Sequence, residues 1–558
     1  MDGHDELTNL ADRYWDSVLA AAPSTATLLG DHRFDDRVED VSPEAEHRLL
    51  ATLRELRDQV AGLDAVKLNA TDRVTRGLLR TELDMAIDNL TWRPTELASD
   101  QMDGVHAGML MLAAQIKAPQ PENALALVRR YRQFGTLFDQ AVQQFRNGLA
   151  AGRAPARITI ERSLNQLDGY LASDIATDPF ATFAGPVDWD GEAAWRAELT
   201  EVARDVIRPA FQRYRDVLAD ELRPAARPDD KCGLCWLGAD GEDIYRRQLR
   251  RHTTLPDLGA DEIHELGLSE LALLREEYAA VGARLFGTTE TAEIFTRLRQ
   301  DPELRYASGE EIMADAQRAL GAAVAEMGNW FGRLPKESCE IVAVPEFLAA
   351  DASAAYYFPP AADGSRPGTY FVNQYEPADR SRYETAAVAY HEAIPGHHLQ
   401  LTIANELEGL PRFQRQSFAN TAFVEGWALY TERLADEMGL YEDDLARVGM
   451  LAGDSWRSCR LVVDTGIHAK GWSRQQAIDF MVANAPVGLT EIEVEIDRYI
   501  AIPGQAVAYK VGQLEIRRQR GLAAERLGAA FNIKAFHDVV LGSGSVSLPV
   551  LRELVAGL

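Results

Sequence analysis

Apolar residues recur every three to four positions along most of this chain. After Ser42, which can cap a helix N-terminus, and Pro43, suited to a first helical position, Leu49, Leu50, Leu53, Leu56 and Val60 share one face, so the pattern predicts a helix over 43–62. The same period predicts helix over 120–150, 192–222, 260–284 and 308–333. Pro and Gly cluster at 151–155 and 223–228, where turns are expected. The second cluster marks the expected division between an N-terminal helical half, 1–225, and a C-terminal half, 226–558. One region breaks the pattern. Residues 339–345 and 368–373 carry β-branched and aromatic side chains bounded by Pro and Gly, which suits two short strands with loops over 356–360 and 363–367 between them. The expected fold is therefore mainly α, a large helical body with a small β-sheet, and an exposed edge of that sheet could hold an extended substrate by main-chain hydrogen bonds.

Composition narrows the partners. The chain has 558 residues, 46% hydrophobic and 26% charged, which suits a folded globular body. Its 58 basic against 86 acidic side chains leave a net charge of −28, which repels phosphate backbones and anionic lipid, so neither nucleic acid nor a membrane is expected as a partner. The first residues, Met1, Asp2, Gly3, His4, Asp5 and Glu6, lack the basic and apolar regions of a signal peptide, and no apolar run reaches membrane-spanning length. A soluble, cytoplasmic protein is expected. Cys232 and Cys235 have ligand-like spacing, but Cys339 and Cys459 stand alone and no second pair closes a four-thiolate site, so all four are expected to be reduced thiols.

The chemistry concentrates at 391–398, HEAIPGHH, which places three imidazoles and a carboxylate in one short segment. Neutral nitrogen ligands beside a carboxylate that can take a proton from water are what a catalytic zinc site needs. In the familiar HExxH pattern the histidines sit at i and i+4 on one helical face. Here Pro395 occupies i+4, and the next histidines are His397 and His398. On a straight helix His398 would share the face of His391 but lie about 10 Å further along the axis, too far for one ion with ~2.0–2.1 Å bonds. Pro395 and Gly396 must therefore bend or bulge the helix, bringing His397 back beside His391 and leaving His398 facing substrate or supporting the site, with an exchange of roles between the two left open. The segment FVEGWALY at 423–430 supplies Glu425, a mid-helix carboxylate whose burial a nearby cation would explain. Glu432 either orients the site or is solvated.

These segments resemble a known family. HEAIPGHH, the stretch FVEGWALYTE, the later RYIAIPGQAVAYKVG at 498–512, LGDHRFDD at 29–36 and VDTGIH at 463–468 look like the domain-of-unknown-function 885 family of bacterial proteins, over nearly the whole chain. That family in turn resembles the helical gluzincin peptidases. The resemblance implies two helical halves flanking a deep cleft, with zinc held by two histidines and a glutamate: His391, His397 and Glu425 here. Glu392, beside a ligand but on another side of the helix, would be the general base. Tyr509 and His468, the latter with Asp464 one turn earlier to fix its tautomer, are the candidates to brace the negative charge that develops on an attacked carbonyl. Lys510, Arg457 and Arg460 could grip a substrate carboxylate or be paired structurally.

The expectation is a zinc-dependent hydrolase of amide bonds in small peptides, with manganese or cobalt also compatible with the N/O donor set. A hydrolase of a non-peptide amide or ester is the first alternative. A metal-free helical scaffold that binds a ligand without turnover is the second. A serine-nucleophile elbow and a glycine-rich phosphate loop are both absent from the sequence, and Gly542, Ser543, Gly544 and Ser545 read as a loop before the last helix.

Overall fold

Each periodic segment becomes helix, with boundaries set by its prolines and caps. The computed structural model of the protein describes residues 3–345, 349, 353–360, 366–417 and 419–558. Ser42 accepts a hydrogen bond from the Ala45 amide and opens the helix Pro43–Gly62. The expected helix over 120–150 is two helices, Pro121–Tyr131 and Phe134–Ala150. The segment that starts at Glu192 instead runs on through two prolines to Ala225, because the chain widens into π-helical turns at Ala203–Ile207 and Leu218–Leu222. Pro209 and Pro224 would each collide with the carbonyl four residues earlier, at Asp205 and Asp220, and both carbonyls lie in the widened turns. The turn expected at 223–228 accordingly begins only at Ala226.

Among the described residues, two hydrophobic cores result. The smaller is aromatic: Phe134, Phe138, Trp195, Phe211 and Tyr214 pack within residues 109–226, with the Phe138 and Phe211 rings 4.7 Å apart. The larger unites Leu10, Trp15, Leu53 and Leu79 from the start of the chain with Tyr390, Trp427 and Ile516 from its C-terminal part. The smaller core ends at Ala226, while the opening segment, placed with the N-terminal half in the sequence reading, packs into the larger one.

Among the described residues, the small sheet has three strands, not two. β1 (Glu340–Ala343) pairs in parallel with β3 (Thr369–Val372), and β2 (Ala355–Phe358) pairs antiparallel with the other side of β3, so the order is β1-β3-β2. Residues 356–358, expected as loop, are therefore strand, and 363–365 of the second expected loop lie outside the described residues. β2 packs against the helix Thr385–Glu392, which carries His391. One close helix pair completes the frame. A Cβ on Gly426 would lie 2.4 Å from Gly512, and one on Gly512 would lie 1.7 Å from the Ala422 carbonyl, so these glycines let the helices Thr421–Glu437 and Ala508–Leu527 touch backbone to backbone. Among the described residues, no helix is long and apolar enough to cross a membrane.

Candidate metal centre

The HEAIPGHH segment does not stay helical. Thr385–Glu392 ends at Ala393, whose ψ of −101° is non-helical, a cis Ile394-Pro395 bond follows, and a new helix, His397–Glu406, begins after Gly396. Gly396 is required at the corner, since a Cβ there would lie 1.8 Å from the His391 carbonyl oxygen. The turn is pinned from the facing helix, where Trp427 donates its indole N–H to the Pro395 carbonyl at 3.0 Å and Thr431 donates to the Tyr390 carbonyl at 3.1 Å. The break turns His397 toward His391, and their rings meet edge to face with centroids 4.9 Å apart.

Glu425 completes the group. Its Oε2 lies 3.4 Å from His397 Nε2 and 3.8 Å from His391 Nε2, and the three donor atoms fall within 4.8 Å of one another. Donors held around one ion by ~2.0–2.1 Å bonds at tetrahedral angles stand about 3.4 Å apart, so a set this close could hold one metal ion. Both histidines are buried. His391 Nδ1 donates to Glu432 Oε1 at 2.8 Å, which fixes the tautomer and turns the Nε2 lone pair toward the group. Burial disfavours the charged imidazole, yet hydrogen bonds to Glu425 and Glu432, and the charge of Glu392, overcome it and push the His391 pKa up to about 9. The same two histidines, working against burial, hold the Glu425 carboxyl well below its usual range. The site thus favours positive charge among its carboxylates.

Glu392 is half-buried and has no hydrogen-bond partner among the described residues. Its charge reaches both His391 and the buried phenol of Tyr370 on β3, whose pKa is raised first by burial and then by Glu392. Tyr509 lies at the same place: its ring is near-parallel to that of His391, with centroids 6.4 Å apart, and burial followed by the charge of Glu425 raises its phenol pKa.

Five sequence assignments are corrected by their surroundings. His398 turns away from the cluster, donating from Nε2 to the Glu337 carbonyl at 3.1 Å and accepting at Nδ1 from Tyr357 on β2 at 3.0 Å, so it joins the sheet to the helix and is not open to substrate. His468 accepts at Nδ1 from the Leu234 amide at 3.2 Å and donates from Nε2 to the Tyr499 carbonyl at 2.9 Å, leaving no ring nitrogen for an oxyanion. Asp464 does not orient it, since that carboxylate accepts from Tyr245 at 2.6 Å and from the Gly504 amide at 3.1 Å. Lys510 is fully buried and paired with Asp454 and with Glu270 at 3.0 Å. Arg460 donates to Tyr499 at 2.7 Å and to Glu495 at 2.8 Å, and its guanidinium covers the Tyr509 ring at 4.5 Å, so it braces Tyr509 from behind. Arg457 lies closer to the group, with Nη2 3.9 Å from Glu432 Oε1 and Nε without a partner among the described residues. The sequence reading left Glu432 undecided, although its spacing of seven from Glu425, two helical turns, places both on one face. It passed over Arg460 as a brace, because the contact joins separate helices.

The family model described as "Bacterial protein of unknown function (DUF885)" matches residues 23–555. The crystal structure of "the putative lipoprotein from Colwellia psychrerythraea" superimposes with a TM-score of 0.92 at 26% identity, covering 100% of this chain and 99% of that one. The structure of "a putative lipoprotein of unknown function from Shewanella oneidensis" has a TM-score of 0.76 at 19% identity, covering 99% of each, and shares the fold. Among curated proteins, none matches.

Proposed function

Because this chain belongs to the DUF885 family of bacterial proteins of unknown function, its reaction has to be read from the site, and we propose a zinc-dependent hydrolase that cleaves amide bonds in small peptides. The observation that carries this reading is the convergence of His391 Nε2, His397 Nε2 and Glu425 Oε2 within 4.8 Å, with Glu392 free beside them. A bound zinc ion supplies a Lewis acid and acidifies water at neutral pH. Manganese or cobalt would suit the same donors. Glu392 accepts the proton that water loses and later passes it to the leaving amine, a role that needs a carboxylate without a competing partner. Glu432 keeps His391 in the tautomer that presents Nε2. Tyr509 offers a neutral O–H to the developing oxyanion, and Arg460 behind the ring stabilises electron density drawn onto the phenol oxygen. β2, the edge strand against the His391 helix, is the wall along which an extended peptide would lie.

A cleft between the helical halves belongs to this proposal. The cytoplasmic location expected from the sequence is likewise a proposal, and the lipoprotein names above belong to the relatives. Fractionation of cells making the protein tests it.

Metal analysis tests the reaction. Purified protein is expected to carry about one equivalent of zinc, to lose dipeptide hydrolysis on chelation and to regain it on adding zinc. Less than about 0.2 equivalents, with no gain on adding metal, would turn the reading toward a scaffold. Hydrolysis of acylated small molecules with dipeptides untouched would turn it toward the non-peptide alternative.

A further inference from the structure

Three guanidiniums gather beside the metal centre around a single hydrogen-bonded carboxylate. Arg457 and Arg460 lie over the Trp456 ring, 5.3 Å and 5.2 Å from its centroid, and Arg460 in turn covers Tyr509 at 4.5 Å. Arg498 joins them through Glu495, which accepts from Arg498 Nη2 and from Arg460 Nη2, each at 2.8 Å. Among the described residues, Glu495 is the one carboxylate hydrogen-bonded to this group. A guanidinium with donors to spare suits a carboxylate, since it keeps its charge at any working pH and bonds anionic oxygens strongly.

Of the three, Arg457 holds a donor in reserve. Its Nη1 makes a long bond to the Gly453 carbonyl at 3.4 Å, and its Nε is sealed. Nη2 is not sealed: it has no hydrogen bond among the described residues and stands 3.9 Å from Glu432 Oε1, on a side chain that is 15% exposed. The charge of Arg457 also reaches Glu384 and Glu491, without a hydrogen bond to either. Glu432 accepts from His391 Nδ1 at 2.8 Å, so Nη2 is two contacts from a candidate metal ligand. An extended residue spans ~3.3–3.6 Å. A carboxylate at Nη2 therefore suits the end of a chain whose scissile amide, one residue back, lies at the metal centre. Lys510 is sealed among carboxylates and Arg460 is spent on Tyr499 and Glu495, so neither can take this part.

We propose that the substrates are peptides with a free C-terminal carboxylate, that Arg457 Nη2 donates to it, and that the amide cleaved is the last in the chain, as in a dipeptidase or carboxypeptidase. Water adds its oxygen to the carbonyl carbon, the C–N bond breaks, and the departing amine takes the proton held by Glu392, while the released residue keeps the carboxylate. The inference rests on the peptide-hydrolase reading for the reaction but not for the binding.

Two measurements test it. With zinc-loaded enzyme, kcat/KM is compared for N-acetyl-Ala-Ala and N-acetyl-Ala-Ala-amide, which share the bond between the alanines and differ at the terminus. A preference of about thirtyfold or more for the free acid is expected, the scale of one charged hydrogen bond, carried mainly by KM. It should fall to near parity in Arg457→Met, with zinc content and circular dichroism unchanged, and lie between the two in Arg457→Lys, which serves alone if the Met variant does not fold. Independently of turnover, calorimetry on zinc-loaded Glu392→Gln protein should find the acid bound about thirtyfold more tightly than the amide, and adding Arg457→Met should remove the difference. Selective binding that depends on Arg457, without hydrolysis of any peptide, would keep the carboxylate site and remove the peptidase reading. Equal rates or equal binding of acid and amide would overturn the proposal, as would binding of neither at millimolar concentration. So would a preference that survives both changes at Arg457, which would place the carboxylate on the metal, or equal cleavage of N-acetyl-Ala-Glu-amide, whose carboxylate is on a side chain.

Discussion

Two clusters of charge meet on the helix Thr421–Glu437 and differ in whether they are complete. Around Lys510, the ammonium meets Asp454 and Glu270, and Arg433 bridges from Asp454 to Glu277 with both contacts at 2.7 Å. Each charge there faces its opposite. Around His391, the carboxylates of Glu392, Glu425 and Glu432 face two imidazoles and, at 3.9 Å, one arginine, and His397 Nδ1 and Glu432 Oε2 are buried without partners among the described residues. Tyr509 and Lys510 are neighbours in sequence, yet one stacks against the open cluster and the other is locked into the closed one. A closed network has spent its valences on the fold. An open one, with carboxylates left unpaired, is where the proposed cation would be held, and that difference separates a candidate site from a strut.

The largest expected effect breaks the closed cluster. Asp454→Ala leaves Lys510 and Arg433 short of their shared carboxylate in a buried setting and should cost about 3–5 kcal/mol of stability, read from chemical denaturation. A loss below about 1 kcal/mol would mean that water reaches the network and that the contrast between the clusters is overdrawn. In the open cluster, Glu392→Gln should leave folding and zinc content intact while peptide turnover falls at least about a hundredfold. Unchanged turnover would take Glu392 out of the mechanism.

How much of this the sequence could reveal depends on how local the causes are. The break between His391 and His397 was legible because Pro395 and Gly396 act on their own backbone. The choice between His397 and His398 was not: adjacent helical residues point about 100° apart, and what holds His398 is Tyr357, on a strand read as loop because two prolines follow it. His468 is satisfied by Leu234 and Tyr499, partners that no local pattern announces. Helical periodicity marks a buried face but not what covers it, so the sequence did not reveal that the first helices join the larger core. Prolines 209 and 224 show the converse, since a helix can absorb a breaker by widening.

A smaller effect is expected where the open cluster touches its support. Glu432→Gln keeps the shape but weakens the acceptor for His391 Nδ1, and zinc affinity should fall about 10–100-fold, measured by competition with a chromophoric chelator. An unchanged affinity would leave Glu432 a structural carboxylate, like those around Lys510.

The smallest effect concerns His468, a histidine that the fold completes as fully as Lys510. Burial, stronger than the Tyr499 carbonyl's opposing effect, pushes its pKa down to about 3, against about 6.5 in the unfolded chain. The unfolded state therefore binds more protons between these values, so stability contributed by the neutral ring is full above pH 6.5 and is lost as pH falls toward 3. His468→Gln removes that titration. The stability advantage of the parent protein over the variant should shrink by about 1 kcal/mol between pH 7 and pH 5.5. A gap that stays constant with pH would show the ring to be wet and able to charge in the folded state, which would reopen His468 as a group that could meet substrate.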